Sequence, residues 1–163
     1  MAIILNGKTL SKKIKADIKK QAADLIETYK KKPHLVVILI GDNPASETYV
    51  HSKEKSSKAA GFESTVIKKD ASISETELVA LIDALNHDDQ VHGILLQLPI
   101  PKHIDSEKVI NLIDPAKDVD GFSNYHVARL NKGLDALVPC TPLGIMEILH
   151  AYDIDLEGKH AVV

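Results

Sequence analysis

The sequence predicts an α/β domain of three layers, α/β/α, around a largely parallel sheet. Residues 35–40, Leu-Val-Val-Ile-Leu-Ile, and 93–96, Gly-Ile-Leu-Leu, are short uninterrupted apolar runs, as in strands covered on both faces. Around them the apolar spacing changes to the three-to-four-residue period of helices, so strand and helix signals alternate along the chain.

Taken in order, residues 2–5 read as a short strand and 9–31 as a helix with Leu10, Ile14, Ile18, Ala22, Leu25, Ile26 and Tyr29 on one apolar stripe. Nine lysines fall between Lys8 and Lys32, but Asp17, Asp24 and Glu27 are interspersed, so they read as a solvated face. After strand 35–40, Gly41-Asp42-Asn43-Pro44 breaks the run, and a helix is expected from Ser46 as N-cap to Gly61 as stop. Residues 62–67 alternate like a strand. Ser74-Glu75-Thr76-Glu77 has capping-box spacing, and Leu78, Leu81, Ile82 and Leu85 continue one helical face. Strand 93–96 is ended by Gln97-Leu98-Pro99-Ile100-Pro101, since proline cannot donate to a sheet. A helix over 106–113, capped by Asp105, leads to the Asp114-Pro115 break; a last helix is expected over 143–152. Residues 160–163 read as the opening of a strand, which suggests a cut or truncated piece of a longer architecture.

With 163 residues the chain is long enough for one domain that buries about 70% of its unfolded surface. A net charge of −3 with 44% hydrophobic residues gives no sign of a nucleic-acid partner, and no apolar run approaches membrane-spanning length; the chain is read as cytoplasmic. The single Cys140 excludes an intrachain disulfide framework and a cysteine-based zinc site, and is expected to be a buried structural thiol. The eight histidines include no pair three or four apart, so no metal site is expected. The eight glycines never fall closer than eleven apart, so the chain holds neither a dinucleotide fingerprint nor a phosphate loop, and no cofactor-binding residue is assigned.

The candidate chemistry gathers at the predicted strand ends, where open α/β sheets bind ligands. Tyr49 and Lys53 are four apart and share one helix face; Gln97 supplies an amide at the next strand end and Asp120 a carboxylate in a glycine-containing turn. A phenol, an amine, an amide and a carboxylate suffice to hold and protonate a flat, nitrogen-rich heterocycle. The spacing alone equally allows Lys53, with Lys55 and Lys58, to face solvent. Asp118 and Asp120 are read as turn-formers in preference to an acid–base pair.

Four motifs, in order and spanning the chain, carry a resemblance: Gly-Asp-Asn-Pro-Ala-Ser with Tyr-Val-His-Ser-Lys, Gly-Ile-Leu-Leu-Gln-Leu-Pro-Ile-Pro, Pro-Ala-Lys-Asp-Val-Asp-Gly-Phe, and Pro-Cys-Thr-Pro-Leu-Gly. Together they resemble methylenetetrahydrofolate dehydrogenase/cyclohydrolase. The resemblance implies a folate-binding catalytic domain over 1–139, a connecting helix over 140–157, and in 158–163 the first strand of a Rossmann-type NAD(P)-binding domain. It implies NADP-dependent oxidation of methylenetetrahydrofolate to the methenyl form and hydrolysis of that cation to formyltetrahydrofolate. It casts Lys53 as the catalytic lysine, Gln97 as its positioning neighbour, Tyr49 as a stacking face, Asp120 as holder of the pterin ring, and Leu98, Pro99 and Pro101 as pocket wall, with one X-Pro bond there expected to be cis. It further implies a tetrahydrofolate derivative as substrate, NADP as cofactor of the parent enzyme, a homodimeric parent, and loss of hydride transfer in this chain. A non-catalytic folate-binding or scaffold piece stands as the alternative. The substrate domain of another two-domain dehydrogenase is a further rival, weighed against by the Tyr49–Lys53 spacing with Gln97-Leu98-Pro99.

Overall fold

The computed structural model describes residues 4–162. Its element order is α1 (Gly7–Tyr29), β1 (His34–Ile40), α2 (Pro44–Ala59), β2 (Glu63–Lys69), α3 (Glu75–Asn86), β3 (Gly93–Leu96), α4 (Ser106–Ile110), α5 (Asn124–Asn131) and α6 (Cys140–Ala151). The sheet has order β2-β1-β3 and is parallel throughout; Leu35 to Ile38 pair with Gly93 to Leu96 on one side, and His34 to Ile40 with Glu63 to Lys69 on the other.

The two faces of β1 explain its continuous apolar run. Val36, Ile38 and Ile40 join Ile94 and Leu96 in a core completed by Leu78, Ile82 and Leu85 of α3 and Val109 of α4. Val37 and Leu39, with Leu95, point the other way and meet Val50 of α2. Side chains alternate across a strand, so a strand between two helical layers must be apolar at every position. This is the expected three-layer arrangement.

Local signals set most of the boundaries. The Ser74–Glu77 capping box is formed in both directions, and the Asp105 side chain accepts from the Lys108 N–H as a cap. Gly61 ends α2 at φ +93°, a backbone region open to glycine. The start of α2 differs from expectation. Asn43, not Ser46, is its N-cap, accepting from the N–H groups of Ala45 and Ser46, and Pro44 occupies the first turn. Proline lacks an N–H that would be unpaired there anyway, so the apparent breaker opens the helix; Ser46 is buried inside it.

Further corrections concern the ends of the chain. Ala2 and Ile3 of the expected first strand lie outside the described residues, and Ile4 and Leu5 carry no strand pairing. The α1 stripe is only partly covered: Ala22 is buried, Leu10, Ile14 and Ile26 are half-buried, and Ile18, Leu25 and Tyr29 are exposed, because α1 rests chiefly against α6. All nine lysines are exposed, as the interspersed acids suggested. The helix expected from 143 starts at Cys140, α5 was not foreseen, and residues 160–162 show no strand pairing, Val163 lying outside the described residues.

Leu78→Ala should cost about 2–5 kcal/mol, since the side chain is fully buried between α3 and the sheet. Leu25→Ala on the open face of α1 should cost less than about 1 kcal/mol. Urea titration of both variants measures the contrast.

Candidate active site

The carboxyl ends of β1 and β3 lie side by side because the two strands are parallel neighbours, and each is followed by a polar turn. Beyond β1, Gly41 at φ +78° turns the chain into the Asn43 cap of α2, which places Lys53 half-buried on the helix face towards β3. Beyond β3, the Gln97 N–H still donates to Ile38 O at 2.9 Å, so its side chain starts from a fixed point. Lys53 Nζ donates to Gln97 Oε1 at 3.1 Å, and Gln97 Nε2 donates to Leu98 O at 2.8 Å. Both ends of the Gln97 amide are engaged, which orients its oxygen towards the amine. The Leu98–Pro99 bond is cis.

Asp120 reaches the same place by another route. The segment before it runs beside β3 through a parallel bridge between Ile94 and Asp118, with Ile94 N–H donating to Lys117 O at 2.8 Å. This close approach requires Gly93: a Cβ there would lie 2.6 Å from Val119 Cγ1. Moving parallel to β3, the chain brings Asp120 level with the strand end. Asp118, 2% exposed, takes the N–H of Gly121 on Oδ1 (3.0 Å) and of Ser123 on Oδ2 (2.8 Å). It is a turn-former, as its sequence context suggested. Asp120 is left free for the cleft.

The cleft has a volume of about 360 Å³ and is lined by Lys53, Gln97, Leu98, Asp120, Phe122 and Cys140 among others. A second, mainly apolar cavity of about 390 Å³ shares Lys53, Asp120 and Cys140 with it and runs under α2 past Leu35, Leu95 and Val119. Burial pushes the Asp120 carboxyl above its ordinary range; the positive charge of Lys53 opposes this and the neighbouring Asp118 adds to it. Lys53, Gln97, Leu98 and Asp120 are thus brought together. Tyr49 stands one turn before Lys53, 64% exposed and outside the cleft lining, and Pro99 lies exposed beyond Leu98.

Sequence reasoning misjudged Cys140. It is exposed, it opens α6, and it lines the cleft with Pro139, Thr141 and Pro142. The Pro-Cys-Thr-Pro spelling marked the segment, but nothing local showed that it folds back onto Lys53 and Asp120. Lys117 was also overlooked. Its ammonium donates to the carbonyls of Leu85, Asn86 and Asp88 at 3.0, 2.7 and 2.8 Å, fastening the Asp118 turn to the C-terminal end of α3.

The sequence profile of the tetrahydrofolate dehydrogenase/cyclohydrolase catalytic domain matches residues 5–120, which include Tyr49, Lys53, Gln97, Leu98, Pro99 and Asp120. The chain belongs to that family. The bifunctional protein FolD of Streptococcus uberis and that of Oceanobacillus iheyensis are each 50% identical to it over all 163 residues, which correspond to 57% of either relative. The chain therefore spans little more than half the length of these family members. The crystal structure of the FolD methylenetetrahydrofolate dehydrogenase/cyclohydrolase of Campylobacter jejuni superposes with a TM-score of 0.92 at 49% identity, covering 96% of this chain and 56% of that one. The Trypanosoma brucei dehydrogenase-cyclohydrolase, solved with NADP and an inhibitor, gives a TM-score of 0.92 at 31% identity over 97% of this chain and 54% of its own.

Two outcomes are expected at the Asp120 turn. Gly121→Ala should destabilise the chain by about 1–3 kcal/mol, because φ is +65° and the new Cβ would press into the Leu137 carbonyl. Asp120→Asn should raise the urea midpoint at neutral pH. Asp120 ionises more easily unfolded than folded, so it weakens folding as pH rises from the ordinary carboxylate range through its raised pKa, and is without effect below that range. The gain in the Asn variant should therefore vanish in acid.

Proposed function

We propose that this chain is the folate-binding catalytic part of an enzyme that interconverts one-carbon units on tetrahydrofolate, oxidising the methylene to the methenyl form and hydrolysing the latter to formyltetrahydrofolate. The observation that carries the reading is the Lys53–Gln97 hydrogen bond at 3.1 Å beside Asp120 in one cleft. Family membership supports it, as does the naming of both activities in the C. jejuni relative.

In this reading Asp120 accepts hydrogen bonds from the pterin's adjacent ring N–H and amino group, a paired donor set that fits one carboxylate. Those donors favour the ionised carboxylate, so folate binding reverses the upward push that burial exerts on Asp120. Leu98 and Pro99 wall the ring, and Tyr49 covers it by stacking as the ligand settles. Hydrolysis adds water to the electron-poor carbon between the two folate nitrogens, and the water must lose a proton. Lys53 Nζ receives it as the neutral amine, with Gln97 Oε1 holding that nitrogen in place, and the proton goes on to the folate nitrogen that departs when its bond to this carbon breaks to leave the formyl group.

NADP accepts hydride in the whole enzyme. This chain's glycines form no phosphate-binding turn, so its residues do not fit the nucleotide and no hydride step is derived from them. We assign 1–139 to the folate domain, 140–157 to the connecting helix and 158–163 to the start of the nucleotide domain. No helix among the described residues is long and apolar enough to cross a membrane. The whole protein is proposed to be a cytoplasmic homodimer without nucleic-acid or membrane partners.

The test follows the loss of methenyltetrahydrofolate absorbance over the spontaneous rate, without nucleotide. Lys53→Met should slow any acceleration by about 10²–10⁴-fold, the usual worth of a proton-transfer group, while tetrahydrofolate still binds. Binding without acceleration in the unaltered chain would favour the non-catalytic alternative. Tetrahydrofolate affinity should be level above the raised pKa of Asp120 and fall below it, because the ligand selects the carboxylate. In Asp120→Asn it should be weaker by about tenfold or more and lose this dependence.

A further inference from the structure

His126 lies on α5, away from the cleft, yet it is 6% exposed and both ring nitrogens are engaged. Nδ1 receives the Leu137 N–H at 3.2 Å, and Nε2 lies 2.9 Å from Pro115 O. A carbonyl only accepts and a backbone N–H only donates. The ring must therefore carry its proton on Nε2 and leave Nδ1 bare.

What Nδ1 holds matters for Asp120. Leu137 belongs to the strap that joins α5 to α6, and its carbonyl packs against Gly121, the residue after Asp120, so closely that Gly121 has no room for a side chain. The same strap runs on through Pro139 to Cys140, both of which line the cleft. Asp118 holds the Asp120 turn from inside, through Gly121 and Ser123. The strap holds it from outside, and Leu137, itself 43% exposed, has little burial of its own to keep it there.

We infer that His126 is a positioning residue for the folate site: through Nδ1 it pins the Leu137 strap against Gly121 and so fixes Asp120 and the Pro139–Cys140 wall. Where this concerns ligand affinity it rests on the folate reading above; where it concerns the position of Asp120 it does not.

The two amide isosteres separate the two ring nitrogens. The Asn Oδ1 falls where Nδ1 does and keeps an acceptor for Leu137; the Gln Nε2 falls where Nε2 does and keeps only the donor to Pro115. In the unaltered chain, ¹⁵N shifts of the His126 ring should show the Nε2–H tautomer; an Nδ1–H tautomer overturns the inference without any variant. In His126→Gln, hydrogen exchange at the Leu137 amide should quicken about tenfold and the Asp120 carboxyl ¹³C signal should move, while His126→Asn leaves both near the unaltered values. Tetrahydrofolate affinity should fall about fivefold in His126→Gln, the worth of one hydrogen bond, and recover in His126→Asn. Equal effects of the two variants, or none from His126→Gln, would reduce His126 to a structural staple. If the unaltered chain does not bind tetrahydrofolate, the folate reading fails, and the tautomer, exchange and carboxyl signals still decide the role of His126.

Discussion

The cleft depends on a carboxylate that does not enter it. Asp118 is buried beside β3, where its polar oxygens are accommodated because each takes a backbone N–H, one from Gly121 and one from Ser123. Those two bonds close the turn that carries Asp120. Gly93 admits the segment to the edge of β3, Lys117 ties its near end to α3, and Leu137 presses on its far end. The free carboxylate two residues on from Asp118 thereby acquires a fixed position opposite Lys53 and Gln97 without any direct support of its own.

This division of labour accounts for the opposite environments of two acids in one short turn. Asp118 is satisfied by donors inside the protein. Asp120 is partly desolvated, lacks such donors and ionises less readily. In the proposed folate reading, a ligand supplies the missing N–H donors to this group, and its unfavourable burial in the free chain gives those donors their selectivity.

The features legible in the sequence were those decided within a few residues. The apolar runs of β1 and β3, the Ser74–Glu77 box, the Asp105 cap, the Gly61 stop and the i, i+4 relation of Tyr49 and Lys53 all follow from local geometry. The errors arise where distant segments decide. Ser46 has the chemistry of an N-cap, but Pro44 moved the helix start to Asn43. The stripe on α1 has the period of a core helix, yet Ile18, Leu25 and Tyr29 on it stay exposed among the described residues. Cys140 looked inert because the proximity of its segment to Lys53 and Asp120 depends on how α5 and the strap fold back. Lys117 and His126 showed nothing in sequence at all, since their partners are carbonyls and amides, which every residue possesses.

Lys117 illustrates how poorly residue similarity predicts tolerance. Three carbonyls from the end of α3 and the residues after it converge on its ammonium, a tetrahedral donor with three hydrogens to give. Arginine would keep the charge, but its flat guanidinium presents donors in a plane and needs more room than three converging oxygens leave. Acetylation would remove two of the three donors together with the charge. An exchange that a substitution matrix scores as conservative thus reaches the cleft through a helix end that has no part in its lining.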